Sequence, residues 1–114
     1  MQPDATAIRA LAEESGSLGL CVFARCHDQE HALVVRAFPL GVGLQEDPAS
    51  GAANAAIAAF LDEADALGSL GRTYLASQGR EMGRDARLHL RIDEEGQVWV
   101  GGQCHTVIRG MVHW

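Results

Sequence analysis

The chain has 114 residues, 47% of them apolar and 21% charged, and carries a net charge of −6. That length supports one core and no second domain, and the apolar content argues against disorder. All nine basic residues are arginines scattered singly, so no basic stripe exists to neutralise phosphates, and neither nucleic acid nor an anionic membrane surface is an expected partner.

The opening Met1-Gln2-Pro3-Asp4 lacks the basic and apolar regions of a signal peptide, and no apolar run approaches a membrane span. Cys21, Cys26 and Cys104 are odd in number and contain no Cys-x-x-Cys pair. The expectation is reduced thiols in a cytoplasmic protein rather than a disulfide framework.

In chain order, Asp4 is placed to cap a helix over residues 5 to about 14, with Ile8, Leu11 and Ala12 on one face and Ser15-Gly16 ending it. Residues 18–25 read as a buried strand. A polar turn over residues 26–30 follows, and residues 31–38 return as a second strand. Pro39 and the glycines at 41 and 43 break that strand. Next comes Glu46-Asp47-Pro48-Ala49-Ser50-Gly51, running into a helix over residues 51 to about 67 with no charge before Asp62. An alanine-built helix that is apolar all round calls for enclosure by the rest of the chain. Its first turn offers unpaired N–H groups and the positive end of the helix dipole, a seat for an anion.

Beyond Gly68-Ser69-Leu70-Gly71, a strand is expected over residues 73–78 and a connection over 79–83. Residues 87–92 alternate, with Leu88, Leu90 and Ile92 inward and His89 and Arg91 outward. Residues 94–97 form a hairpin turn and 98–100 return, with Gly101-Gly102 as a bulge or corner. Last strands are expected over 103–108 and 111–113. The sum is an α+β roll, a curved sheet around one central helix.

Two roles stand for Asp47: a cleft carboxylate that binds substrate or exchanges a proton, or a cap on the turn before the helix. Glu46 is its neighbour, not its catalytic partner, because adjacent residues in an extended loop point apart; its expected role is structural. Ser50, Gly51 and Ala52 count through their backbone N–H groups, which either bind a carboxylate or are satisfied by water as at an ordinary helix start, and Asn54 either looks into the cleft or bonds to nearby backbone. Cys26, His27 and His31 straddle a turn without a recognised ligand spacing, and Cys104 and His105 point to opposite faces, so no metal site is expected. Arg84 holds a carboxylate or pairs with Glu81 on the surface. Trp99 and Trp114 read as packing or interface residues.

The order Arg36-x-Phe38-Pro39, Gly43-x-x-Glu46-Asp47-Pro48-Ala49-Ser50-Gly51, the alanine-rich helix, Gln78-Gly79-x-Glu81-Met82-Gly83-Arg84, then Gly101-Gly102 and Gly110 is similar to the C-terminal half of the phenazine-biosynthesis (PhzF-like) isomerases, relatives of diaminopimelate epimerase. The resemblance covers nearly the whole chain. It implies that residues 1–114 form one lobe of a two-lobed fold, with substrate in the cleft between lobes near the N-termini of both central helices. It also implies isomerisation of a small carboxylic acid by proton removal and return, without a cofactor. Asp47 carries over as the catalytic cleft carboxylate, with Ser50, Gly51, Ala52 and Asn54 binding substrate.

The principal acid/base glutamate of the phenazine enzyme lies in the other half. Ala52 replaces the family's usual Ser, removing a hydroxyl, and Gly83-Arg84-Asp85-Ala86 replaces the common Gly-Arg-Pro-Ser. Asn54 stands where many members have a small residue or His. The two-thiol mechanism of the amino-acid racemising relatives is excluded, because no Cys occupies the helix start. Three readings follow. One is an isomerase lobe, inactive alone, that pairs with a separate N-terminal-half protein or with itself. Another is a non-catalytic ligand-binding or regulatory homodimer that kept the fold. The third is a piece of a longer enzyme.

Overall fold

The structure, a computed structural model, describes residues 1–26 and 32–114. The expected turn after Cys26, with His27 and His31, lies outside the described residues. Helix α1 spans Ala5–Ser15 and is bounded as its sequence implies. Asp4 accepts a hydrogen bond from the Ala7 N–H at 3.0 Å. At the other end Gly16 takes φ 64°, where a side chain is strained, and the N–H of Ser17 donates back to the Ala12 carbonyl.

Strands β1 (Leu20–Arg25), β2 (Leu33–Phe38), β3 (Thr73–Gln78), β4 (Ala86–Ile92) and β5 (Val98–Gly101) form one sheet in sequence order. Every pair is antiparallel except β2–β3, which is parallel because helix α2 (Gly51–Glu63) is the crossover between them. The sheet is a mixed, open half-barrel with α2 in its concavity, the α+β half expected from the sequence.

Alternation decides which face each residue serves. Leu33, Val35, Tyr74, Ala76, Leu88, Leu90 and Ile92 pack with Ile57, Ala58 and Leu61 of α2 in the main core. On the other face of β1 and β2, Ile8 of α1 packs with Phe38 and Leu40, against Leu20 and Val22.

Four expectations need correction. Helix α2 stops at Glu63, not near residue 67, because Asp65 takes φ 50°. The N–H of Ala66 then donates to the Leu61 carbonyl at 2.8 Å and that of Asp65 to Asp62 at 3.1 Å, closing the helix by a Schellman motif without glycine. The released Ala66 and Leu67 fold back onto the core. Enclosure of α2 is one-sided: Asn54, Ile57, Ala58 and Leu61 are buried, whereas Ala52, Ala56 and Phe60, one turn apart each, form an exposed stripe with Phe60 at 57% exposure. The strands expected over 103–108 and 111–113 are absent. Residues 102–114 are irregular and exposed. The β4–β5 ladder ends at His89↔Gly101, so Gly101 closes a strand rather than forming a bulge.

The β4–β5 hairpin is fastened by Asp93. Its carboxylate accepts from Trp99 Nε1 at 2.9 Å and from the N–H groups of Gln97 and Glu95 at 2.9 and 3.0 Å. The Trp99 hydrogen bond, then that of Gln97, holds the Asp93 pKa below its ordinary 3.8. A depressed folded-state pKa stabilises above the unfolded value and loses that contribution as pH falls through the folded one. Acid titration should therefore show Trp99 fluorescence changing at a pH below 3.8, and Asp93→Asn should abolish that step; a Trp99 transition unaffected by the substitution would refute the assignment.

Candidate functional site

The loop that feeds α2 is fixed from the sheet side. The N–H of Asp47 donates to the Ala37 carbonyl at 2.9 Å, an isolated bridge beside β2. The Asp47 carbonyl accepts from Gln78 Nε2 at 2.6 Å. Gln78, at the end of β3, is fully buried, and its Oε1 accepts from the Ser50 N–H at 3.2 Å and from Asn54 Nδ2 at 2.8 Å. Asn54 Nδ2 also donates to the Ser50 carbonyl at 2.8 Å. One buried amide thus ties Asp47, Ser50 and Asn54 together.

Gly79 continues this clamp. Its φ is 86°, and a Cβ there would lie 2.7 Å from the Pro48 carbonyl oxygen, so the loop rests directly on its backbone. Glu46, as expected of a structural residue, grips Arg36 through both carboxylate oxygens, at 2.8 and 2.9 Å. Arg36 lies 4.9 Å over the Phe38 ring, and the Glu46 hydrogen bond raises its pKa above the ordinary value. Glu81 stands 3.8 Å from Arg36, within ion-pair reach of it.

Within this frame the five expected site residues separate. Ser50 is the N-cap of α2, its Oγ accepting from the Ala53 N–H at 3.1 Å. Gly51 and Ala52 are exposed, and their N–H groups have no protein acceptor among the described residues. Asp47 is half-buried; its Oδ1 accepts from the Ala49 N–H at 3.0 Å and its Oδ2 has no protein donor among the described residues. The turn-capping role is therefore real for one oxygen, and the other is uncommitted. Asn54 is only 2% exposed with its amide spent on Ser50 and Gln78, so it supports the helix start from beneath instead of facing outward.

Two depressions flank the helix tip. An apolar one of about 230 Å³ is lined by Leu18, Cys21, Phe38, Ser50, Ala52 and Ala56. A larger one of about 710 Å³ touches the loop at Ala49 and is walled by Arg87, His89, Gly101 and Gly102. Burial pushes the Cys21 thiol pKa up, away from nucleophilic use. Among the described residues, no three His, Cys, Asp or Glu side chains gather closely enough to hold a metal ion.

Residues 1–110 match the profile of the phenazine biosynthesis-like proteins (PhzC-PhzF). The chain belongs to that family. No curated protein matches it. In this PhzC-PhzF chain the Glu46-Asp47-Pro48 signature and the Gln78-Gly79 segment are two sides of one clamp, and the clamp presents the start of α2. Among the described residues, no helix is long and apolar enough to cross a membrane.

The sequence reading missed Gln78 as the hub and Arg87 and His89 as cavity walls. A glutamine at the end of β3, with Asn54 as the one polar residue in the apolar run from Gly51 to Leu61, was the available signal for Gln78. Replacing it with Leu leaves Asn54 Nδ2, the Ser50 N–H and the Asp47 carbonyl short of a partner, each worth about 1–3 kcal/mol when buried. Gln78→Leu should lower unfolding free energy by about 2–4 kcal/mol and speed amide exchange at Ser50, measured by urea titration and NMR. Stability within 0.5 kcal/mol of the original, roughly the size of a neutral surface change, would show that the clamp does not hold the loop.

Proposed function

We propose that this chain is one lobe of a cofactor-independent isomerase that moves a proton on a small carboxylic acid, with a second lobe completing the cleft. Family membership supports the isomerase-type activity in its coarse form. The observation that carries the finer reading is the pairing, on one rigid loop, of two open donors with one open acceptor. The N–H groups of Gly51 and Ala52 are free at the positive end of α2, and Asp47 Oδ2 is free beside them in sequence.

That arrangement suits the chemistry. A substrate carboxylate seated on the two N–H groups is held by hydrogen bonds and the helix dipole. As a proton leaves the adjacent carbon, negative charge spreads onto that carboxylate, and donors already in place stabilise it without reorganisation. Asp47 Oδ2 is the local group that takes or returns a proton. An acid/base residue from the second lobe, another chain or a second copy, handles the other face.

A non-catalytic ligand-binding homodimer is the competing reading. It draws on Ala52, which lacks the hydroxyl usual at that position in the family, and on Asp47 Oδ1 being engaged by the Ala49 N–H. Asp47→Asn separates the two, because an Asn Oδ1 keeps the bond to Ala49 while the acidic group is lost. Exchange from D₂O into small cyclic 2-amino or 2-hydroxy acids is the assay, with and without an N-terminal-half protein of the family. The isomerase reading expects exchange with the second half present and a loss of at least about 100-fold in Asp47→Asn. Ligand binding without exchange in either mixture selects the binding module.

A further inference from the structure

We propose that residues 103–114 of one copy of this chain are received by a second copy, along the free edge of β1 and the exposed stripe of α2, in a reciprocal dimer. This goes beyond the isomerase reading and stands whether or not the site turns over a substrate.

The donor is an apolar segment with nothing to rest on. Val107, Ile108, Met111, Val112 and Trp114 are 77–108% exposed. Strand β4 begins at Ala86, but its pairing with β5 covers only His89 to Ile92. Continuing the same register would pair Arg87 with Gln103 and Ala86 with Cys104, after which β4 has no residue left to offer. The segment instead leaves the sheet at Gly102, and its alternating Ile108, Val112 and Trp114 stay largely exposed among the described residues.

The acceptor is the opposite end of the same molecule. Among the described residues strand β1 is an edge, paired only with β2, and an edge strand presents a row of unpaired backbone groups to any extended segment. Beside it the stripe Ala52, Ala56 and Phe60 is bare, with the Phe60 ring 6.4 Å from that of Phe23. The 230 Å³ apolar groove lies between the two. Charge agrees with this pairing. Residues 103–114 contain Arg109, His105 and His113 and no Asp or Glu, while the stripe ends at Glu63 and Asp65, both exposed.

A second copy is the occupant because it carries both halves of the contact and buries them twice. The three apolar side chains on one face, Ile108, Val112 and Trp114, covering on the order of 100 Å² each, with a matching acceptor area and two-fold repetition, give about 1,200 Å² in total, at the lower end of what a stable dimer needs. Exchange of identical segments requires no surface that the chain lacks.

The test uses two full-length variants with substitutions at exposed positions, their folds checked by circular dichroism. Ile108→Glu with Val112→Glu disables the donor; Phe60→Glu disables the acceptor. In sedimentation equilibrium the unmodified chain should be dimeric and each variant alone monomeric. An equimolar mixture should associate at concentrations where neither variant does, since it retains one intact donor with one intact acceptor. Amide protection of residues 104–112 should rise with protein concentration in step with the dimer. A monomeric unmodified chain, a dimer in either variant alone, a mixture that stays monomeric at its highest soluble concentration, or protection independent of concentration (the segment closing on its own chain) would each overturn the proposal.

Discussion

The side-chain amide of Gln78 makes three hydrogen bonds to two segments that are remote from it in sequence: the Asp47 carbonyl, the Ser50 N–H and the Asn54 amide. A glutamine amide has one acceptor oxygen and two donor hydrogens, so both ends of this one are in use. The group is fully buried, where an unpaired amide is expensive, and the cost of burying it is offset only if all three partner groups occupy their places together. The loop 47–50 and the first turn of α2 are consequently set by the sheet, not by the local preference of an alanine-rich stretch. Gly79 completes the arrangement, since no other residue lets β3 end this close to Pro48.

A clamp of this kind matters to function through what it leaves undone. Ser50 satisfies the Ala53 N–H, and the Ser50 carbonyl receives both the Asn54 N–H and its side chain. Two helix-start donors, those of Gly51 and Ala52, remain. They are held still by bonds made on the far side of the same turn. Donors ordered in advance have less conformational freedom left to lose than those of a frayed helix start.

How much of this was legible in the sequence depended on whether the deciding partner was local. Helix α1 followed from Asp4 and Gly16, both within one turn of the ends they cap. The inward Leu88, Leu90 and Ile92 of β4 followed from alternation. The end of α2 was misplaced because residues 64–67 are apolar enough to continue the helix, and only a left-handed Asp65 reverses the chain. The segment beyond Gly102 carries a strand pattern but has no strand to pair with, so pattern alone overcalled it. The position of Asp47, Ser50, Gly51 and Ala52 in the loop and first turn of α2 was legible from the family signature. Asn54 was placed on the right turn with its side chain directed outward or inward as open choices, and a contact 24 residues away in sequence decided the matter.

The site and the bare face of α2 are not independent features. The stripe of Ala52, Ala56 and Phe60 starts at Ala52, whose N–H is one of the two open donors. A sheet that wrapped α2 completely would bury Phe60 and seal the helix tip at the same time. By covering only one side, the five strands leave the tip reachable and expose an apolar ridge to water, an unstable combination for a chain on its own. Whatever covers the ridge must therefore stop short of Ala52. A cover anchored on Phe60 and Phe23 and ending near Ala56 would do so, roofing the apolar part of the groove while the charged-ligand end stays open. The open helix tip and the bare apolar ridge are thus two consequences of the same incomplete barrel.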